Sequence, residues 1–374
     1  MDFSLTEEQR AIADMAGSLF RDSCSDDVLR ELSDSGQTRM EGLWQASIET
    51  GLHSLYIPEA AGGSGLGITE LMLVLMAQGS ALAQVPLWRH QLAAAAIWQS
   101  GVAAESNALH AVVLAAAEGA NVLTLADTLQ SGPTLTRSDK QLTLNGTCHA
   151  VAEAPDATLA LIPVSDGDKL KLVALPLDTP GVSCVSGVMT HGEAVADIHC
   201  QQVTLDSDYL LDDSTVAWLQ PRITAALSAL QLGLSSQQLT RTVEYISQRR
   251  QFDRQIGTFQ AVQMTMADCQ VALEALQSCL WQLCYRIDNA LACEPEMLAT
   301  AWHACEAGHL IGHKAQHVHG GFGVDISYPI HRFLYWSRAI RLALGGSGAT
   351  LTALGDWLNN NNSLGWKYDL DENA

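Results

Sequence analysis

Between residues 262 and 284 the sequence commits itself to one kind of structure. Val262, Met266, Cys269, Leu273, Leu276, Leu280 and Cys284 recur every three or four positions. Apolar side chains at that spacing share one face of an α-helix, which must then be buried against other helices. The near-heptad step is that of a bundle helix, and packed bundle core is a better reading of it than a cofactor box.

Around this stripe the texture changes twice. Residues 1–110 read as helical. Thr6 followed by Gln9 forms a capping box, and Ile12, Met15, Ala16, Leu19 and Phe20 mark an expected buried face behind it. A glycine-rich break at 57–67 leads into an apolar helix expected over 69–76. From 111 to 212, short runs alternate polar with apolar residues. Residues 141–144 alternate, Asn145-Gly146 is the dipeptide of a tight hairpin turn, and 147–151 is the expected return strand. A second hairpin is expected from 158–164, Asp166-Gly167-Asp168 and 169–175. After Asp212-Asp213 helical periodicity returns. The expected fold is α+β, mainly α: an N-terminal helical domain (1–110), a middle β-barrel or sandwich domain (111–212) and a C-terminal helical bundle domain (213–374). The last ten residues are polar and expected to fray.

Charge narrows the function. Forty-one acidic against 20 basic residues give a formal charge of −21 over 374 residues. That is the wrong sign for general binding to a phosphate backbone, although an anionic small ligand needs only a local arginine cluster. A hydrophobic content of 48% excludes a wholly disordered chain. No apolar run reaches the ~18 residues of a membrane span; the stretch 85–98 is interrupted by Arg89, His90 and Gln91. The N-terminal residues show neither the basic nor the apolar region of a secretory leader. Nine cysteines, scattered and never C-x-x-C, read as reduced thiols, so a cytoplasmic protein is expected.

Four local patterns carry possible chemistry. The glycines at 62–67 fit no phosphate-loop register. His309, His313 and His317 share a helix face with Glu306, but a carboxylate-bridged metal site needs a second Glu-x-x-His that the sequence lacks, so a packed or solvated histidine stripe is the better reading and no metal is expected. Arg249-Arg250-Gln251-Phe252-Asp253-Arg254-Gln255-Ile256-Gly257-Thr258-Phe259-Gln260 crowds three arginines around an aromatic in an acidic chain. It reads equally as a basic helix end or as a pyrophosphate clamp built from planar guanidinium forks. His319-Gly320-Gly321-Phe322-Gly323 is either an ordinary glycine cap or a bare backbone stretch that a ligand can approach closely.

Taken in order, these pieces resemble the acyl-CoA dehydrogenase family over nearly the whole chain. Leu5-Thr6-Glu7-Glu8-Gln9 looks like its opening helix, and Ile57-Pro58-Glu59 with Gly62-Gly63 like its P-E-x-x-G-G loop. Residues 249–260 resemble R-x-x-F-G-x-x-I-x-x-F-Q. Residues 317–323 with Tyr328-Pro329-Ile330-His331-Arg332 resemble Q-x-H-G-G-x-G…Y-P-x-x-R. The resemblance implies a helical domain, a β domain and a four-helix bundle, assembled as dimers or tetramers. It also implies FAD held between one subunit's β domain and its neighbour's bundle. A carboxylate takes the α-proton of an acyl-CoA while the β-hydrogen leaves as hydride to the flavin, which an electron-transfer flavoprotein reoxidises. Carried over, Arg249 contacts the pyrophosphate of the adjacent subunit's FAD, Phe252, Gln260 and His317 line that cofactor, Gly320 and Gly321 admit its adenosine half, and Arg222 lies on the substrate side.

The departures are as informative. The usual base, a Glu before a Gly, is Leu344 before Gly345, and a second family position for the base is Pro221. The family's T-E-P-x-x-G-S-D segment has no clear counterpart between residues 122 and 139, W-x-S/T falls on His149-Ala150-Val151-Ala152, and Asp253 stands where a Gly follows R-x-x-F. This pattern resembles the base-lacking partner in heteromeric α2β2 acyl-CoA dehydrogenases of bacterial steroid side-chain degradation. The alternatives are a self-sufficient homotetrameric dehydrogenase with an unrecognised base, and a non-redox bundle protein with a metal on His309, His313 and His317.

Overall fold

The computed structural model describes residues 4–138 and 140–361. It opens with seven helices: α1 (Glu7–Ser23), α2 (Asp26–Ser35), α3 (Glu41–Glu49), α4 (Ile68–Ala81), α5 (Leu87–Gln99), α6 (Val102–Glu105) and α7 (Asn107–Ala117). The Thr6 capping box forms: the Gln9 N–H donates to Thr6 Oγ1 at 3.1 Å and the Thr6 N–H to Gln9 Oε1 at 3.0 Å. Ile12, Ala16 and Phe20 are buried, but Met15 is 39% exposed. It sits about 100° around the helix from Ala16, outside the narrow i, i+4 stripe. α4 is longer than expected, and a distant residue caps it: the Asp288 carboxylate accepts the Ile68 N–H at 2.8 Å and the Thr69 N–H at 3.2 Å. The glycine-rich break before it offers no free amides for a phosphate, since the Ser64, Gly65 and Leu66 N–H groups donate to the Ser54, Ile57 and Leu55 carbonyls.

The middle of the chain is one curled seven-stranded sheet, a half-barrel: β1 (Leu123–Leu125), β2 (Thr134–Ser138), β3 (Gln141–Ala152), β4 (Leu159–Asp166), β5 (Lys169–Pro176), β6 (Val182–Val188) and β7 (Ala194–Asp206). Its order is β1-β4-β2-β3-β7-β6, with β5 paired to β4. The expected second hairpin is present, with Asp166 opposite Lys169. The expected turn at Asn145-Gly146 is not. Both residues lie inside β3, which continues to Ala152. The register against β7 slips between Leu144 and Gly146, Gly146 adopts φ +125°, and Asn145 Oδ1 accepts the Gln202 N–H at 2.9 Å. A 13-residue partner strand turned the turn-forming dipeptide into a bulge.

The remainder is α8 (Thr215–Gln248), the short strands β8 (Arg250–Gln251) and β9 (Arg254–Gln255), α9 (Gln260–Asp288), α10 (Glu294–His319), α11 (Gly321–Val324), α12 (Ile330–Ala343) and α13 (Gly346–Asn360). α8, α9, α10 and α12 pack as the expected bundle. Of the stripe that opened the analysis, Met266, Cys269, Leu273, Leu276, Leu280 and Cys284 are buried on α9. α8 also crosses α4 at backbone distance. A Cβ on Gly79 would stand 2.2 Å from the Leu230 carbonyl oxygen, and one on Gly233 would stand 1.9 Å from that of Met76. One apolar core therefore runs from Ile12 and Phe20 through Leu123 and Leu159 to Phe333 and Ile340. All nine cysteines are free. Among the described residues no helix is long and apolar enough to cross a membrane. The last ten residues lie outside the described part.

Candidate functional site

The three arginines of 249–254 gather where α8 ends. Arg249 caps α8, its N–H donating to the Tyr245 carbonyl at 2.8 Å. β8 and β9 then form a hairpin whose tip is Phe252-Asp253, with φ of +54° and +59°. Two successive positive φ values are those of a type I′ turn. Asp is among the few side chains that tolerate the left-handed region, so Asp253 keeps the backbone path that a glycine would give. Phe252 adopts it at a cost of roughly 1–2 kcal/mol and leaves its ring 85% exposed. Among the described residues no carboxylate lies within 4 Å of Arg249, Arg250 or Arg254 (Arg249 stands 5.5 Å from the Phe322 ring centre and Arg254 stands 3.8 Å from that of Phe259). In a chain of charge −21, three guanidiniums with no carboxylate partner among the described residues form a local site of opposite sign, although Arg250 Nη2 donates to the Asp253 carbonyl at 2.7 Å.

Beside them lies a cleft of about 850 Å³, lined by Arg249, Phe252, His317, Gly320, Gly321 and Phe322, among others. Of the sequence-expected cofactor residues, only Gln260 falls outside this lining, as the first residue of α9 next to Ala261. Gly320 has φ +61° and ψ −131°, a conformation open to glycine, and a Cβ on Gly320 or Gly321 would meet no atom within 4 Å. The backbone here faces open space. The floor is aromatic: His319 stacks on Tyr245 at 4.2 Å, with Tyr328 5.5 Å from it. Burial holds the His319 pKa below its ordinary value, so the imidazole is neutral near pH 7. Cations, a bare backbone and flat rings suit a ligand that joins an anionic centre to a planar base.

The two positions expected to lack a base are elsewhere. Pro221 is buried in α8 and Leu344 caps α12. Arg222 is already engaged: Nε donates to Tyr56 Oη at 2.7 Å, Nη1 donates to the Trp218 carbonyl at 2.6 Å, and its guanidinium lies 4.0 Å from the Trp218 ring centre.

A second cavity, about 290 Å³, sits where the N-terminal helices, the sheet and the bundle meet. The sequence reading missed what fills it. Arg89 of α5, 6% exposed, forks onto Asp127 at 2.6 and 2.7 Å and reaches Glu193 at 2.6 Å. Burial alone would raise the Glu193 pKa, but Arg89 and His191 bring it down to about 2. Glu193 is thus a fixed anion and a poor proton acceptor. Glu153 is also buried nearby, its pKa pushed up to about 8 by burial and the Glu193 charge, but it does not line the cavity. His149, Ala150 and Ala152 do, together with Trp336, whose ring meets His191 edge-on at 5.1 Å. The one sequence signal was the polar trio Arg89-His90-Gln91 inside an apolar helix.

The histidine stripe is divided. His309 and His313 lie 4.5 Å apart beside a small cavity with Arg338 and Arg341, while His317 faces the arginine cleft. Burial, His309 and the two arginines lower the His313 pKa. Among the described residues no group of three or more candidate ligands gathers.

Comparison with known proteins places this geometry. Residues 6–109 match the profile described as acyl-CoA dehydrogenase, N-terminal domain, and residues 221–358 the corresponding C-terminal domain. Acyl-CoA dehydrogenase FadE27 of Mycobacterium tuberculosis is 30% identical, over 95% of this chain and 98% of its own length. The Tcur3481–Tcur3483 steroid ACAD is similar in structure, with a TM-score of 0.89, 33% identity and coverage of 95% of this chain and 98% of that one. So is the ChsE4–ChsE5 complex from Mycobacterium tuberculosis, at 0.88, 29%, 96% and 100%.

Proposed function

The chain belongs to the acyl-CoA dehydrogenase family, and from that premise we propose that it is the base-lacking subunit of a heteromeric α2β2 acyl-CoA dehydrogenase. The observation that carries this reading is that neither of the two expected base positions holds a carboxylate. Leu344 and Pro221 stand at the two positions where the family places its base, and the two carboxylates that line the junction cavity, Asp127 and Glu193, are both ion-paired to Arg89. A carboxylate with a pKa of about 2 is a weak acceptor for the α-proton of a thioester. The printed names of two structural relatives, a ChsE4–ChsE5 complex and a Tcur3481–Tcur3483 steroid ACAD, support an unlike partner and a steroid-type acyl-CoA substrate.

On this reading the arginine cleft is the part of the site that the chain supplies. Its residues fit the diphosphate and adenosine of a neighbour's FAD: Arg249 offers a fork with no competing carboxylate among the described residues, Gly320 and Gly321 leave the backbone bare, and Phe252 and His317 flank the opening. FAD, when bound, supplies the hydride acceptor. The residues of this chain hold its anionic half and exclude water, and the proton is taken by a carboxylate of the other chain. Gln260 and Arg222 support the site from α9 and α8, an electron-transfer flavoprotein accepts the electrons, and the assembly works in the cytoplasm.

The test is a visible absorption spectrum of the chain purified alone and after co-expression with the second subunit. A colourless lone chain that becomes yellow and oxidises acyl-CoA only with its partner is the expected result. A yellow lone chain bleached by acyl-CoA overturns the proposal.

A further inference from the structure

The half of the histidine stripe that lies outside the arginine cleft has no role so far. His309 and His313 stand one turn apart on α10, and Arg338 and Arg341 stand three residues apart on α12, so each pair shares a helix face. Two glycines let α10 lie close to its neighbours. A Cβ on Gly312 would stand 2.9 Å from Leu334 Cδ1 of α12, and one on Gly308 would stand 2.6 Å from Gln231 Oε1 of α8. The four cationic or titratable side chains meet around a notch of about 260 Å³, completed by Gly308, Leu334 and Ser337.

This lining is rich in hydrogen-bond donors. Arg338 is exposed and, among the described residues, has no hydrogen bond or ion pair. Arg341 is held from one side, its Nη2 donating to Ser347 Oγ at 2.7 Å, and its Nε and Nη1 have no acceptor among the described residues. Ser337, 2% exposed, accepts from Gln231 Nε2 at 3.1 Å, and its own O–H donates to no described residue. The groups that act on His313 are burial, His309 and the two arginines, with no carboxylate among them.

The arginines that repel a metal cation from these histidines attract an anion. A tetrahedral oxyanion accepts from planar guanidinium forks, from the imidazole N–H groups and from a hydroxyl at the floor. At the ~30 Å³ that a water takes in the liquid, the notch has room for roughly eight waters, enough for one partly hydrated phosphate. Leu334 is the one large apolar side chain in the lining, so a larger body attached to the phosphate gains little there.

We propose that His309, His313, Arg338 and Arg341 form a binding site for a phosphate dianion between α10 and α12, separate from the arginine cleft. The site stands independently of the flavin reading, because it uses none of the same residues.

Diethyl pyrocarbonate, which acylates accessible neutral imidazoles, tests it in the full-length chain with peptide mass spectrometry as the readout. Inorganic phosphate at about 10 mM should slow modification of His309 and His313 by roughly fivefold relative to chloride at equal ionic strength, the protection that follows from simple occupancy. His149, exposed on the sheet, should react unchanged. Adenosine monophosphate should protect with a midpoint within about threefold of that of phosphate, since only the oxyanion is recognised. Arg338→Gln/Arg341→Gln should abolish the protection, and the exposed single variant Arg338→Gln should weaken it severalfold while melting as the wild type does. Unchanged modification at about 100 mM phosphate overturns the site, and so does protection that persists in the double variant. Protection by adenosine monophosphate alone overturns it in favour of a nucleotide site. Protection that needs the second subunit and no phosphate overturns it in favour of a partner's surface.

Discussion

Arg249 ends α8 with its guanidinium over the Phe322 ring and, among the described residues, no carboxylate in reach, which leaves its charge open to a ligand. Charge-assisted hydrogen bonds to phosphate contribute about 1.5–3 kcal/mol each. Arg249→Met should therefore lower flavin retention by the assembled enzyme by roughly tenfold or more, followed as the ratio of flavin to protein absorbance on dilution. Arg249→Lys should recover part of the loss, because an ammonium keeps the charge without the fork. Unchanged retention in both variants would detach Arg249 from the cofactor. At the junction, Glu153 makes a prediction of opposite character. Its folded pKa is raised to about 8 by burial first and by Glu193 second, against about 4.3 for an unfolded Glu. Between those values the unfolded state has lost the proton and the native state keeps it, so this group's contribution to stability falls as pH rises from about 4.3 to 8. Glu193 has the reverse sign: its contribution is present above about 4.3 and is lost as pH falls toward 2. The melting temperature of Glu153→Gln relative to wild type should therefore climb from pH 5 to pH 8. Parallel curves would show that Glu153 is not the group responsible.

Among the elements, the α4–α8 crossing is the sharpest constraint. Gly79→Ala would press a methyl against the Leu230 carbonyl, and backbone cannot yield as a flexible side chain does; a loss of about 1–3 kcal/mol is expected in urea unfolding. Gly355→Ala on exposed α13, where a Cβ meets nothing within 4 Å, should instead gain about 0.5–1 kcal/mol. Equal effects would remove the crossing as the cause. The long bundle helices were legible in the sequence because their periodicity is local: the stripe on α9 needs no partner to be recognised. The bulge in β3 was not. Asn145-Gly146 has the same local chemistry in a turn and in a bulge, and only the length of β7 opposite decides between them. α5 shows a third case. Arg89, His90 and Gln91 looked like an interruption of an apolar run, yet all three are buried because each has its partner elsewhere. His90 accepts the Leu123 N–H at 3.2 Å and has its Nε2 3.1 Å from the Ala116 carbonyl. Those partners are fixed by tertiary packing, so a one-dimensional reading sees the polarity but not its satisfaction.

For the whole molecule, the helical, β, helical order and the motif at 249–260 were enough to anticipate the architecture, and five of the six residues expected to touch a cofactor line one cleft. The junction cavity escaped because its charges come from α5, the segment after β1 and the turn before β7, three places without a shared sequence signature. Around the arginine cleft the surface is apolar: Phe252, Val324 and Ile326 are 85%, 79% and 78% exposed, the composition of a surface that another chain covers. Val324→Glu with Ile326→Glu should leave the lone chain's melting temperature within about 1 °C and reduce the heteromer fraction in native mass spectrometry several-fold. An undiminished heteromer would place the interface elsewhere.

The single core shared by the N-terminal helices and the bundle has a kinetic consequence. Layers fastened backbone to backbone at Gly79 and Gly233 resist sliding past one another. In the proposed assembly, a molecule seated half in this chain and half in its neighbour would be enclosed by the two chains together, and would leave only as fast as they come apart.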